Sequence, residues 1–152
     1  MSMIEGSAST VINRPAAEVF AAVADVTRMG EWSPECTTGR WVTPATGPAV
    51  GAKFEGDNVF QVGSIALKRW TTTSEVTECV PDKVFEFVAE GYTTWRYELT
   101  EIDGATTITE SFSHKPHQGW QGFVYGTLLQ RSKGMVKGMQ KTLTRMKAAL
   151  ES

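Results

Sequence analysis

Three candidate catalytic residues, Tyr97, Glu110 and His114, lie in the β-rich part of the sequence. Alternate residues of a strand face the same side of a sheet, so Glu110 and His114 share a face, and Tyr97 shares one with Trp95 and Leu99. If both faces point inward, a carboxyl group, an imidazole and a phenol lie among aromatic rings. Desolvation raises the pKa of a carboxyl group and a nearby imidazolium lowers it, so Glu110 and His114 could act as acid and base near neutral pH.

The same pattern allows a simpler arrangement, in which Glu110 and His114 lie at solvated strand ends or form local hydrogen bonds. Replacement of Glu110 by Gln separates the two arrangements. A functional carboxyl group predicts altered ligand binding or turnover in a protein that still folds. Unchanged binding across a panel of ligands would indicate the simpler arrangement.

Large apolar side chains at strand and helix positions could line a cavity for a ligand. The candidates are Trp32, Phe54, Trp70, Phe87, Trp95, Tyr97, Phe112, Met135 and Met139. Core packing is the competing explanation, because protein interiors are close-packed and large voids are unusual. The thioethers of Met135 and Met139 adapt to irregular ligands, which favours a cavity. Asn58 and Arg69 could provide a polar anchor at one end of it.

The segment from His114 to Gly126 combines three glycines with the aromatic residues Trp120, Phe123 and Tyr125. Glycines supply hinge freedom, and aromatic side chains supply large apolar area with polar handles. We therefore expect a lid at the mouth of the pocket, with Trp120 and Phe123 as ligand contacts. The alternative is an ordinary loop whose aromatic residues cap the core.

Turn signals and periodicity predict the elements that position these residues. The N-terminal part predicts a strand over Ser7–Asn13, a helix that Pro15 can open, and a short helix from Asp25 that ends near Trp32. Short β-rich runs separated by Gly, Pro and Asp then predict an antiparallel meander with hairpin turns. The runs are Arg40–Val42, Lys53–Glu55, Leu67–Cys79, Val84–Ala89, Thr94–Ile102 and Thr106–His114.

Apolar residues at alternating three- and four-residue steps predict an amphipathic helix over roughly the last 25 residues. The stripe comprises Leu129, Ser132, Val136, Met139, Leu143, Met146 and Leu150. At 1.5 Å per residue this helix is roughly 37 Å long, and only the curved sheet could cover its stripe. Its basic residues are Arg131, Lys133, Lys137, Lys141, Arg145 and Lys147. They could meet an acidic partner or a membrane surface, but a solvated face near the negative end of the helix dipole explains them more simply.

Composition describes an ordinary soluble domain. The 152 residues are 41% hydrophobic and 21% charged with a net charge of -2, so no nucleic-acid partner is indicated. The first residues lack the basic region and apolar run of a signal peptide, so we expect no export by that route, and no stretch approaches the roughly 20 apolar residues of a membrane span. We expect one domain over residues 1–152 that is not membrane-embedded.

Several kinds of site are not indicated by the sequence. Cys36 and Cys79 suggest neither a disulfide framework nor a zinc site, so a reducing cytoplasm is the expected compartment. His114 and His117 lack a third ligand, and we expect no metal and no cofactor. No serine-hydrolase order, phosphate-binding glycine loop or nucleotide motif is present, so hydrolase, kinase and dehydrogenase functions have no support.

The order of elements and five segments together resemble the polyketide cyclase/dehydrase branch of the START-like (SRPBCC) superfamily. The segments are Val11–Phe20, Glu31–Glu35, Val50–Gly56, Trp70–Val76 and Pro81–Phe87. The resemblance implies an α+β helix-grip fold: a curved seven-stranded antiparallel sheet around a long C-terminal helix, with two short helices after the first strand. It also implies a pocket for lipids, polyketides, sterols or other hydrophobic molecules. The superfamily includes carriers, receptors and enzymes, so the fold does not fix the activity.

The expected function is binding of a small hydrophobic molecule between the sheet and the C-terminal helix, with affinity mainly from apolar burial. One alternative is a cyclase, aromatase or dehydratase in which Glu110, His114 or Tyr97 moves protons. Another is a protein-binding module, which predicts a filled interior and an exposed apolar patch. The sequence leaves open whether the chain is a monomer or a homodimer.

Overall fold

Seven antiparallel strands and a long C-terminal helix form the fold in a computed structural model of the chain. The structure describes residues 3–115 and 121–152, with side chains for 3–115 and 133–152. The elements in order are β1 (Ile4–Ile12), α1 (Ala16–Val23), a 3-10 turn (Val26–Arg28), α2 (Met29–Trp32), β2 (Cys36–Trp41), β3 (Lys53–Val62), β4 (Ile65–Val80), β5 (Val84–Ala89), β6 (Thr93–Ile102), β7 (Ala105–His114) and α3 (Gln121–Glu151). The predicted α+β helix-grip fold with a curved seven-stranded sheet is confirmed.

The strands lie in the order β1-β7-β6-β5-β4-β3-β2, so β1 and β2 are the two edges of the sheet. The β6–β7 hairpin closes through Asp103 and Gly104, whose φ angles are 52° and 81°. Positive φ at both central residues is the requirement of a type I′ turn, and Asp-Gly is a preferred sequence for it. This two-residue turn fixes which residues of β6 and β7 lie opposite each other.

One face of the sheet is apolar and forms the core. On β7 every second residue from Thr106 to His114 is buried, as the period of a strand requires. Helix α1 packs near this face with Val19 and Phe20 buried, and its first backbone N–H, that of Ala16, donates to Glu101 Oε1 at 2.6 Å. The core is one continuous hydrophobic cluster that includes residues from α1, the sheet and α3.

Helix α3 approaches the sheet closely at Gly6 on β1. A Cβ atom at Gly6 would lie 2.8 Å from Val136 Cγ2 and 2.9 Å from Phe112 Cε1, so only glycine fits without a shift. Farther along α3, Met139, Leu143 and Met146 are buried, which confirms this part of the predicted stripe. Within the described ranges, no helix is both long and apolar enough to cross a membrane.

Several element boundaries differ from the sequence prediction. Strands β3 and β4 are longer than predicted, because the turn at 63–64 lets the apolar residues before and after it pair as a hairpin. Strand β2 begins four residues earlier than predicted, at Cys36. The backbone of residues 121–126, predicted as part of a lid, belongs to α3. Glycine costs only about 1 kcal/mol relative to alanine in a helix, so Gly122 and Gly126 weaken the helix without ending it.

Candidate functional site

The register of β6 and β7 places Tyr97 directly opposite Glu110 on the inner face of the sheet. The Tyr97 hydroxyl donates to Glu110 Oε2 at 2.9 Å. Only 4% of Glu110 and 8% of Tyr97 is exposed. The neighbouring residues on this face are mostly apolar, with Phe85 next to Tyr97 and Ala8 next to Glu110. The structure therefore holds a hydrogen-bonded carboxyl–phenol pair in an apolar setting.

The second carboxyl oxygen of Glu110 has no hydrogen-bond partner among the described residues, although it is buried. Burial raises the pKa of Glu110 to about 8, and the hydrogen bond from Tyr97 opposes part of that rise. The carboxyl group is therefore mostly protonated at neutral pH. Burial, followed by the influence of Glu110, also raises the pKa of Tyr97 well above its ordinary value, so the phenol stays neutral. A molecule reaching the free oxygen of Glu110 would meet a proton donor below about pH 8 and an acceptor above it.

His114 shares the inner face with Glu110, as predicted, but the structure does not bring the two together. Four residues of extended strand separate them by roughly 13 Å, and Phe112 lies between. The His114 ring stacks on Phe112 with a centroid distance of 6.1 Å and lies 5.1 Å from the ring of Tyr92. Its Nδ1 atom is 3.0 Å from the carbonyl oxygen of Lys115. The hydrogen-bond partner of Glu110 is thus Tyr97 and not His114, and a catalytic role for His114 remains a prediction.

Most predicted ligand contacts on the described elements belong to the core. Those buried in the hydrophobic cluster are Trp32, Phe54, Phe87, Tyr97, Phe112 and Met139, and Trp95 and Met135 are half-buried against it. The rings of Phe54 and Phe87 meet edge to face at 4.9 Å, and those of Trp95 and Phe112 lie 5.7 Å apart. Their role as ligand contacts remains a prediction. Trp120 and the side chain of Phe123 lie outside the described residues.

Asn58 and Arg69 do not form the predicted polar anchor, because the register of β3 and β4 pairs Asn58 with Trp70 and Arg69 with Val59. The two side chains therefore point to opposite faces. The Asn58 amide donates to the Gly56 carbonyl and to Thr72 Oγ1, both at 3.2 Å. Trp70 is half-buried next to it.

The sequence prediction missed two residues of the inner face, Trp41 and Cys36. The ring of Trp41 meets Phe54 edge to face at 5.7 Å. Cys36 pairs with Asn58 across β2 and β3, and its thiol donates to the Thr38 carbonyl. Burial raises the pKa of the thiol, so it stays protonated. The early start of β2 places Cys36, whereas Trp41 lies within the predicted run and faces inward through its pairing with Phe54. The apolar–polar alternation of this strand is too weak to show either facing.

The opposite face of the sheet is polar and charged. The Arg96 guanidinium contacts the carboxylates of Glu78, Glu86 and Glu98 at 2.7, 2.8 and 2.9 Å. These hydrogen bonds raise the pKa of Arg96 further above its ordinary value. Arg96 alternates with Tyr97 along β6, so its position confirms that Tyr97 faces the core.

Comparisons with known proteins agree with this architecture. The family model described as polyketide cyclase / dehydrase and lipid transport matches residues 3–151. A polyketide-cyclase-like protein from Corynebacterium glutamicum, solved by NMR, is 30% identical to this chain. The match covers 99% of this chain and 93% of that protein, with a TM-score of 0.70. No curated protein matches the sequence.

More distant structures share the fold alone. A protein from Nitrosomonas europaea is 14% identical, with a TM-score of 0.72 over 97% of this chain and 94% of that one. The di-domain ARO/CYC StfQ of the steffimycin biosynthetic pathway is 12% identical, with a TM-score of 0.73. That match covers 96% of this chain and 50% of StfQ.

Proposed function

Because the chain belongs to the polyketide cyclase/dehydrase and lipid transport family, we propose that it binds a small, largely apolar molecule against the inner face of its sheet. Glu110 and Tyr97 hold one polar group of that molecule. The observation that supports this proposal is the buried Glu110 oxygen, which has no partner in the described part of the chain.

An unpartnered buried polar atom is costly, which is why it favours a ligand site. Such a group typically costs about 1–3 kcal/mol, and the large majority of buried polar atoms in folded proteins have a partner. A ligand hydroxyl or carbonyl group would supply the missing partner. Ligand sites commonly combine apolar walls with a few polar groups that fix orientation. Apolar burial at about 25 cal/mol per Å² would supply most of the affinity.

Native mass spectrometry of the full chain, purified from its source, tests the proposal first. We expect a copurified small molecule that carries a hydroxyl or carbonyl group on an apolar body. Titration calorimetry with that compound then compares the wild-type protein with Glu110→Leu, which keeps apolar bulk but removes both oxygens. We expect at least about tenfold weaker binding, because a hydrogen bond in an apolar site contributes roughly 1.5 kcal/mol.

The matched control is Glu5→Leu, the same change on the exposed side of β1. It should bind the compound as the wild-type protein does. Equal affinity of the wild-type protein and Glu110→Leu would refute the proposed role of Glu110. Circular dichroism of all three proteins establishes that the comparison is made between folded chains.

A second candidate function is proton-transfer catalysis of the cyclase, aromatase or dehydratase type. It is favoured by the buried Tyr97–Glu110 hydrogen bond, a setting that raises the pKa of Glu110 to about 8, since a group that titrates near the working pH is an efficient general acid or base. The Gln side chain keeps hydrogen bonding but not proton transfer. Glu110→Gln should therefore retain binding and lose turnover if the protein is an enzyme, as judged by product analysis after incubation with the copurified compound. Absence of any product with the wild-type protein would favour the binding function.

A further inference from the structure

Strands β3 and β4 extend beyond the rest of the sheet as a two-stranded ribbon. The pairing of β3 with β2 reaches only to Asn58, and that of β4 with β5 begins only at Ser74. At about 3.3 Å per residue, the ribbon projects roughly 13 Å past the end of β2. We call residues 60–69 the ribbon tip. The tip extends from the same end of the sheet at which β7 ends at His114.

The ribbon tip exposes an unusual amount of apolar surface. Its four large apolar side chains are each more than half exposed: Phe60, Val62, Ile65 and Leu67. Isolated two-stranded ribbons are only marginally stable, and soluble proteins rarely expose contiguous apolar patches of this kind unless the patch binds something. The pairing concentrates the patch at the end of the ribbon, where Val62 lies opposite Ile65.

The charged residues that follow the apolar residues of the ribbon tip indicate the kind of surface that the tip could bind. Lys68 and Arg69 follow directly, and the sequence has no acidic residue between Asp57 and Glu75, although the whole chain has a net charge of -2. One acidic residue from outside the ribbon, Glu35, lines the same recess as Phe60, Lys68 and Trp70. The Lys68 ammonium group lies 5.6 Å from the centre of the Trp70 ring. An apolar end with cations and an indole behind it matches the layers of an anionic membrane, in which acyl chains lie beneath a charged, amphipathic interface.

We propose that the ribbon tip inserts into the interface of an anionic lipid bilayer and docks the protein there reversibly. The tip is too short to cross a hydrocarbon core of about 30 Å, so it reaches only the boundary between headgroups and acyl chains. Docking turns the His114 end of the inner face of the sheet toward the membrane. This is also the end at which the chain leaves β7 for α3.

Sedimentation of the full chain with large unilamellar vesicles tests the proposal. We expect binding to phosphatidylcholine vesicles that contain phosphatidylserine, and weaker binding to phosphatidylcholine alone. The double variant Lys68→Gln/Arg69→Gln should bind the anionic vesicles roughly 25-fold more weakly, since each cation near such a surface contributes about fivefold. The double variant Ile65→Ser/Leu67→Ser should lose binding to both kinds of vesicle.

Two control variants carry matched changes elsewhere. Lys137→Gln/Lys141→Gln removes the same charge from the exposed face of α3, and Val11→Ser/Ile102→Ser removes exposed apolar side chains from β1 and β6. Both should bind anionic vesicles nearly as the wild-type protein does. Equal loss in the α3 variant would assign the attraction to overall charge and overturn the proposal.

Two further outcomes would also overturn it. One is the absence of binding to anionic vesicles by the folded wild-type protein. The other is a dimer in light scattering that Ile65→Ser/Leu67→Ser dissociates, because the patch would then cover a second copy of the chain. Each of these results leaves the Glu110 site untouched, since that site is tested by ligand binding without vesicles.

Discussion

Folding transfers the Glu110 carboxyl group from water to an apolar setting, and this transfer makes the stability of the protein depend on pH. The pKa of Glu110 rises from its ordinary 4.5 to about 8, so the folded chain binds this proton more tightly than the unfolded chain does. Between these two values the unfolded chain ionises while the folded chain stays protonated. The contribution of the protonated Glu110 carboxyl group to the free energy of unfolding is therefore fully present below about pH 4.5 and is lost as the pH rises through 8.

We expect Glu110→Gln to remove this fall in the free energy of unfolding, which is at most about 1.4 kcal/mol per pH unit for one proton. Urea unfolding curves at several pH values across this window measure it in both proteins. Groups elsewhere titrate alike in the two chains, so the difference isolates Glu110. Glu5→Gln, an exposed control, should follow the wild-type protein. Parallel falls in the wild-type protein and Glu110→Gln would contradict the prediction.

The pairing of Glu110 was within reach of the sequence, but its burial was not. The period of two puts Glu110 and Tyr97 on faces that can both point inward, and the dipeptide Asp103-Gly104 is a strong hairpin signal. A two-residue turn pairs Ile102 with Ala105, and counting back from it puts Tyr97 opposite Glu110. Depth of burial depends on what α1 and α3 place over the sheet, which no local pattern specifies.

The contact between α3 and β1 depends on the absence of a side chain at Gly6. The neighbouring atoms belong to Val136, a branched side chain with one strongly preferred rotamer in a helix, and to the buried ring of Phe112. The helix therefore lies closer to β1 than any other residue at that position would allow.

We expect Gly6→Ala to lower the free energy of unfolding by about 1–3 kcal/mol, the usual range for overpacking a close-packed contact. The matched control is Gly134→Ala on α3, where a Cβ atom would have no neighbour within 4 Å. That change should raise stability by up to about 1 kcal/mol, because alanine favours the helix. Thermal or urea unfolding measures both variants. A neutral Gly6→Ala would show that α3 can move away from β1.

The sequence predicted the type of most elements better than their ends. The spacing of apolar residues predicts helix α3 and the side that it buries. The glycines near its start instead favour a loop there. Gly56 and the polar residues after it in β3 likewise favour an early end, and the predicted run stops at Glu55, whereas the strand continues to Val62. At the start of α3 the continuing helix outweighs the preference of glycine against helix, about 1 kcal/mol per residue. In β3 the pairing with β4 outweighs a preference against strand of similar size.

The free energy of local unfolding is expected to differ between parts of the molecule. Strand β7 pairs with a strand on each side and buries every second side chain. In the ribbon tip, β3 and β4 pair only with each other, and their side chains are exposed. Segments with few buried contacts open at low free-energy cost. The overall fold was predictable through the family resemblance and the order of elements. The projecting ribbon was not, because it contributes nothing to the core pattern.

We expect amide hydrogen exchange to be fast in the ribbon tip and slow in β6 and β7. Mass spectrometry after exchange in lipid-free buffer resolves these segments. Anionic vesicles should slow exchange in the tip and leave β6 and β7 unchanged. A tip as protected as β7 in the absence of lipid would mean that it is already covered.

The short β6–β7 turn also limits how this protein can diverge. A one-residue slip of β7 against β6 would reverse the facing of every residue of β7, and Glu110 would exchange places with its outward neighbours. Natural variants that keep the carboxyl–phenol pair should therefore accept an insertion at Asp103-Gly104 only where the loop takes up the added residue and the pairing of β6 with β7 is unchanged. Insertions should accumulate instead in the long connection between β2 and β3, where no strand register is at stake.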